Sequence, residues 1–315
     1  MAEYKGTRAA FSTALLEMAR EDDRCMLVCA DSLKAMRATA MAAELPAQCV
    51  DVGISEQEMV LVSAGLATLG LIPFAATYCG FLTMRACEQV RTFAAYPHLK
   101  VRLVGINGGL MGGEREGVTH QSFEDLGILR AIPGITVVAP ADAHQVYHAT
   151  KAIKDIEGPV YLRCGSGREK TVYRDIDPFV LGRLCVLRDY GSDCVIFCNG
   201  FLMSRALEAA EILKGRGVNV TLADVHTLKP LDAQGIGELL GRCGCAVTVE
   251  DHNIIGGLGS AVAETAAELC PVPMARVGLR DLFPSSGAAE ELADYYGMAV
   301  SDIVSAVLGV IERKK

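Results

Sequence analysis

Val50-Asp-Val-Gly53-Ile-Ser-Glu56-Gln-Glu-Met59 runs from a short β-branched stretch, through a glycine, into the start of a helical pattern. Residues Gln48–Val52 read as a strand, and the apolar residues of Gln57–Leu69 recur at helical spacing. A strand that turns directly into a helix is the repeating unit of α/β sheets, and in open sheets of that kind ligand clefts form at such junctions. Glu56 stands at the junction. Taken alone, a Glu in the first helical turn is commonly just a favourable partner for the helix dipole.

The same rhythm extends on both sides. Cys25–Ala30, Val101–Asn107, Ile135–Ala139 and Pro159–Arg163 read as further strands, and Met84–Ala95 as another helix. This alternation predicts a mainly parallel sheet with helices on both faces. From Glu169 to Pro178 the pattern loosens into polar Glu-Lys-Thr-Val-Tyr-Arg-Asp-Ile-Asp-Pro. A second α/β rhythm follows, with strands near Cys194–Cys198, Asn219–Asp224 and Ala246–Val249 and helices over Arg205–Gly215 and Gly259–Leu269. The predicted organisation is a first domain over 1–170, a linker over 171–184 and a second domain over 185–315.

Composition bounds the function. The 315 residues suit two domains of about 150 residues each. Hydrophobic residues make up 51% and charged residues 22%, a mixture that folds rather than staying disordered. The formal net charge of −8 provides no field to attract nucleic acid or an anionic membrane, so an anionic substrate has to meet a local cluster of Arg and Lys. No charged-then-apolar leader opens the chain and no apolar run approaches the length of a membrane span. The twelve cysteines lie mostly inside strand-like runs and include no CxxC pair, which fits reduced core thiols rather than disulfides or zinc. The reading is a soluble, cytoplasmic protein.

Two further segments carry chemistry. Ala76-Thr-Tyr78-Cys-Gly-Phe81-Leu-Thr-Met-Arg85-Ala-Cys-Glu88-Gln89 sets two aromatics three residues apart. Such a pair forms a flat wall for a heteroaromatic ring, or simply part of a core. Gly112-Gly-Glu-Arg-Glu116-Gly-Val-Thr119-His120-Gln-Ser-Phe-Glu-Asp125 is a polar, glycine-rich loop. A histidine there is positioned to exchange protons with a substrate hydroxyl near neutral pH.

In this order the segments resemble the transketolase and deoxyxylulose-phosphate-synthase superfamily: a strand leading to Gly-Ile-x-Glu-Gln, an aromatic-x-x-Phe before Arg-Ala-x-Asp/Glu-Gln, and a Thr-His-Gln loop. The likeness continues through Leu129–Asp142, Thr227–Asp232 and Glu250–Gly259. It implies the C-terminal half of a split transketolase, with a pyrimidine-binding domain followed by a transketolase C-terminal-like domain. Its activity would be transfer of a two-carbon ketol unit from a ketose to an aldose with thiamine diphosphate. By the same resemblance, Glu56 hydrogen-bonds a ring nitrogen of the cofactor's aminopyrimidine, Tyr78 and Phe81 wall that ring, and Arg85 and Asp31 border the cofactor. Asp31 also reads as an ordinary helix cap. His120 and Glu116 would meet substrate hydroxyls, and Arg8, Arg163 and Arg168 a substrate anion through forked guanidinium contacts.

The superfamily holds the cation of its cofactor, Mg²⁺ or Ca²⁺, through a Gly-Asp-Gly motif and a downstream Asn. This chain contains no Gly-Asp-Gly. The resemblance therefore implies an N-terminal partner subunit that carries the diphosphate and metal, no metal ligand in this chain, and an α2β2 assembly. Glu116 stands where relatives have Asp and Gly108 about where they have His, so the ketose is open to phosphorylated, sulfonated or branched sugars. Rival readings are the beta subunit of a 2-oxo acid dehydrogenase, a deoxyxylulose-phosphate-synthase-like enzyme, and a non-catalytic subunit. Gly256-Gly-Leu-Gly259 reads as packing rather than a dinucleotide loop. Glu250, Asp251 and His252 are open to a subunit contact, a monovalent-cation site or a solvated strand end.

Overall fold

Strands buried on both faces of a parallel sheet must be apolar along their whole length. Residues Cys25–Cys29 meet that demand, since all five are buried. The computed structural model describes residues 4–113, 115–174 and 179–314; residues 175–178 of the expected linker lie outside them. The first domain runs α1 (Thr7–Glu21), β1 (Cys25–Cys29), α2 (Thr39–Glu44), β2 (Cys49–Asp51), α3 (Glu56–Thr68) and β3 (Ile72–Tyr78). A helical segment over Phe81–Ala95 follows, with the short α4 (Cys87–Gln89) between two π-wound turns. Then come β4 (Arg102–Ile106), α5 (Asp125–Ala131), β5 (Thr136–Val138), α6 (Ala143–Ala152) and β6 (Val160–Arg163).

The second domain runs β7 (Cys185–Asp189), β8 (Cys194–Cys198), α7 (Met203–Gly215), β9 (Val220–Asp224), β10 (Thr227–Lys229) and α8 (Ala233–Cys243). It continues through β11 (Ala246–Asn253), α9 (Leu258–Leu269), β12 (Met274–Leu279), α10 (Ala289–Tyr295) and α11 (Val300–Arg313). Its five-stranded sheet has the order β12-β11-β8-β9-β7, parallel except for β7 against β9.

The first sheet has seven strands in the order β10-β5-β6-β4-β3-β1-β2. Six are parallel, and the seventh, β10, comes from the second half of the chain and pairs antiparallel to β5. The domains are therefore joined by a ladder. They also share apolar packing, since one cluster runs from Val28 and Leu103 to Phe197 and Leu240.

The twelve cysteines are all free thiols. The stretch Ala289–Arg313 is long and apolar enough on average to cross a bilayer, a feature not anticipated from the sequence. Here it is two helices, α10 and α11, turned at Gly297. Ile303, Val304, Val307 and Val310 of α11 pack into the second core with Val247 and Val249.

Candidate active site

Because β1, β2, β3, β4 and β6 are parallel, their carboxyl ends share one edge of the sheet, the edge where α/β folds build clefts. At the end of β2, Asp51 Oδ1 accepts the backbone N–H groups of Gly53 and Asp31, both at 2.9 Å. Gly53 takes φ +73°, which turns the chain into α3. Glu56 opens that helix with a buried side chain. Arg85 Nη1 donates to its Oε2 at 2.6 Å, and the same guanidinium lies 4.3 Å from the centroid of Phe81.

Tyr78 ends β3, and Phe81 opens the π-wound turn after it. Their ring centroids are 5.6 Å apart at 61°. His120 reaches them from the glycine-rich loop, 5.2 Å from Tyr78 and 5.1 Å from Phe81, edge-on to both. Its Nδ1 is 3.0 Å from the Thr119 hydroxyl. Three segments that lie far apart in sequence thus meet around one aromatic corner, with Glu56 and Arg85 beside it.

The remaining expected residues divide. Asp31 is exposed after β1, held in the left-handed region at φ 50°. Glu116 is exposed in the same loop as His120. Arg8 is half-buried and donates through Nη1 to Ala35 O at 3.2 Å. Its pKa is lowered by burial and then by Arg37, and its Nε is buried without a hydrogen-bond partner among the described residues. Arg168 lines a cleft of about 600 Å³ together with Arg115, Ser286 and Glu290.

Arg163 is engaged inside the protein. It is 6% exposed, and its Nε and Nη2 donate to Asp125 at 2.9 and 3.1 Å. Nη2 also donates to Ser122 O and Asp251 O, both at 3.0 Å. A guanidinium so engaged supports the fold, and it also lines a small cavity with Thr7, Gly108 and Glu169. Asp125, the last residue of the quoted loop motif, is its partner and also accepts from Tyr161 at 2.6 Å.

Glu250, Asp251 and His252 are all buried, which removes the reading of a solvated strand end. Glu250 accepts the N–H groups of Leu258 and Gly259 at the start of α9, and burial pushes its pKa up to about 7. Burial lowers that of His252 to about 4, so its neutral ring accepts from Gly127 N at 3.3 Å. Gly257 has no room for a side chain, because a Cβ there would stand 2.0 Å from Glu250 Oε2. Among the described residues no group of three or more acidic, Cys or His side chains could hold a metal ion.

Residues 3–167 match the transketolase pyrimidine-binding domain and residues 182–303 the transketolase C-terminal domain. The chain belongs to the transketolase family. It is 39% identical to a 6-deoxy-6-sulfo-D-fructose transketolase subunit of Clostridium sp. (strain MSTE9), over 98% of this chain and 95% of that one. It is 35% identical to an apulose-4-phosphate transketolase subunit from Phocaeicola vulgatus, over 97% of each chain. A solved split-gene transketolase, an inactive β4 tetramer, superposes with a TM-score of 0.90 at 36% identity, covering 99% of this chain and 100% of that one. This transketolase chain is thus a transferase subunit of the two-chain kind, in a family that depends on thiamine diphosphate.

Proposed function

We propose that this transketolase subunit transfers a two-carbon ketol unit from an anionic ketose to an aldose, as half of an α2β2 enzyme whose other subunit binds the diphosphate and Mg²⁺. The reading is carried by the convergence of buried Glu56 with the rings of Tyr78, Phe81 and His120 at the carboxyl edge of the first sheet. Thiamine diphosphate fits these residue types, since a heteroaromatic ring needs a flat apolar wall and a carboxyl group within reach of a ring nitrogen. Once bound, it would supply the carbon nucleophile that breaks and remakes the sugar's carbon–carbon bond.

This chain's residues supply the setting. Glu56 holds a proton at the aminopyrimidine ring nitrogen, and Tyr78 and Phe81 exclude water from that ring. Asp31 borders the cofactor. Arg85 covers the ring face of Phe81 until the cofactor enters. His120 moves protons at substrate hydroxyls and Glu116 orients one of them. Arg8 and Arg168 meet the phosphate or sulfonate of the sugar. Two relatives are named for a sulfonated and a phosphorylated sugar, and both groups present the same tetrahedral oxygens. The absence of Gly-Asp-Gly supports a partner that holds the metal, and the reducing state expected of the free thiols supports a cytoplasmic setting.

Reconstitution tests the reading. The purified chain with thiamine diphosphate and Mg²⁺ should show negligible ketol transfer from 6-deoxy-6-sulfofructose or a pentulose phosphate. Addition of the N-terminal subunit should restore it. Robust transfer by the single chain, or oxidation of a 2-oxo acid by the pair, would overturn the proposal.

A further inference from the structure

The loop that carries Glu116 and His120 leaves the first domain at Gly109 and returns at Ser122. The two backbones pair at its neck: Gly109 N donates to Ser122 O at 2.6 Å and Ser122 N to Gly109 O at 3.2 Å. Inside the loop, Gly117 N bonds Gly113 O, and both His120 N and Gln121 N bond Gly117 O. These bonds shape the loop, but none of them ties it to the rest of the molecule. Near its far end Gln121 Nε2 donates to Ser285 O at 3.1 Å and the His120 ring packs on Tyr78 and Phe81, while the departing limb is tied by a carboxylate of the second domain. Asp251 on β11 accepts Leu110 N at Oδ1, 2.9 Å, and Met111 N at Oδ2, 3.3 Å.

We propose that Asp251 is a positioning residue that fixes the His120 loop over the site, and that through it the second domain acts on catalysis. The packing at the neck is close. Gly109 takes φ +89°, and a Cβ there would stand 2.0 Å from Asp251 Oδ2, so the carboxylate lies directly on loop backbone. Gly108 is equally constrained, its Cβ position being 2.5 Å from Arg163 Nε. Arg163 Nη2 bonds both the Ser122 carbonyl on the returning strand of the neck and the Asp251 carbonyl. Departing and returning limbs are thus both tied to residue 251.

A carboxylate is expensive to bury and is retained where its hydrogen bonds repay the loss of water. Burial pushes the Asp251 pKa up to about 6, against the opposing pull of Arg163. Glu250, its neighbour, is committed to α9 of its own domain. Asp251 is committed across the domain boundary, to the two amides from which the loop departs. An acid/base group misplaced by about 1 Å can lose about 100-fold in rate, so a displaced neck would be felt at His120.

Asp251→Asn tests this, because it keeps the volume but sets an NH₂ group against one of the two N–H donors. Hydrogen exchange at the Leu110 and Met111 amides of the full chain should accelerate at least about tenfold while β8 and α11 keep their protection. That arm does not depend on the proposed function; the kinetic arm rests on it. In the reconstituted enzyme kcat should fall about tenfold or more, with thiamine diphosphate affinity within about twofold of wild type. Asp251→Ser should behave alike. Unchanged exchange at these amides, faster exchange with kcat unaltered, or loss of cooperative folding in both variants would each overturn the positioning role. Absence of ketol transfer in the wild-type pair would instead overturn the proposed function, leaving the exchange result to decide the role of Asp251.

Discussion

Arg85 spans two partners, its Nη1 2.6 Å from Glu56 Oε2 and its guanidinium 4.3 Å from the centre of Phe81. The carboxylate side chain is 2% exposed and the arginine 47%. A buried anion therefore depends on a cation that solvent can reach. Arg85→Met should destabilise the chain by about 1–2 kcal/mol, less than a fully buried pair would lose, because one partner is hydrated. Adding Glu56→Gln should recover most of that loss, since no charge is then left uncompensated. Urea midpoints of the two single variants and the double would show it, and strictly additive losses would mean the two side chains do not interact.

Glu56→Gln on its own addresses chemistry. The amide keeps the shape and the ring wall, so thiamine diphosphate should still bind the reconstituted enzyme. Exchange of the thiazolium carbon proton for deuterium should fall by about 100-fold or more, the scale of losing a positioned acid/base group. Exchange at the wild-type rate would reduce Glu56 to a helix-end carboxylate.

His120 touches Tyr78 and Phe81 at ring edges and is fixed at Nδ1 by Thr119. His120→Ala should lower kcat by about 10²–10⁴-fold with cofactor affinity changed little. Loss of cofactor binding with normal turnover of whatever binds would reverse the assignment.

Much of this architecture is legible in the amino-acid order. Cys194–Cys198 is a strand where continuous apolar character says so, because a strand buried on both faces has no polar alternation to hide it. The Ile72–Tyr78 strand escapes the pattern: Pro73 and the small residues Ala75 and Ala76 weaken it, although Pro is tolerated near a strand start. Met84–Ala95 reads as a regular helix, yet π-wound turns at Phe81–Arg85 and Val90–Ala95 interrupt it. Such turns are frequent at functional sites, and here the first carries Phe81 and Arg85. Periodicity cannot reveal β10 crossing into the first sheet, nor Asp251 reaching Leu110, because both are pairings between distant segments. The three segments meeting at the site are visible only as separate motifs, and their order supplies the link.

Arg163 and Arg8 should separate in a single experiment. Arg163→Met leaves Asp125 buried without its cation, a change worth about 3–5 kcal/mol. The expected result is a large drop in thermal midpoint. Arg8→Met removes one bond to Ala35 O and should leave the midpoint nearly unchanged. Its effect should appear as a KM for the anionic ketose raised about tenfold, the scale of one charge-assisted hydrogen bond. A raised KM for a stably folded Arg163→Met would place that residue at the substrate site.

Asp224, at the end of β9, makes stability depend on pH in a direction that can be worked out. It is fully buried, its Oδ2 accepts from Tyr173 at 2.6 Å and Gln145 at 2.7 Å, and Oδ1 has no partner among the described residues. Burial pushes its pKa up to about 7, well above that of an Asp in the unfolded chain. A group whose folded pKa is raised stabilises the fold while it is protonated there, and that stability is lost as pH rises through 7. Between pH 5.5 and 8 the loss amounts to about 2 kcal/mol. Asp224→Asn is neutral throughout and can still accept from both Tyr173 and Gln145, so it should lack this loss. Glu250 and Asp251 titrate in the same window but are common to both proteins, so they cancel in the difference. Urea unfolding of wild type and variant at the two pH values should therefore show the variant gaining about 2 kcal/mol relative to wild type on going to pH 8. A gap that stays constant between the two pH values would show that Asp224 is already ionised in the folded chain at pH 5.5, with its two donors outweighing its burial.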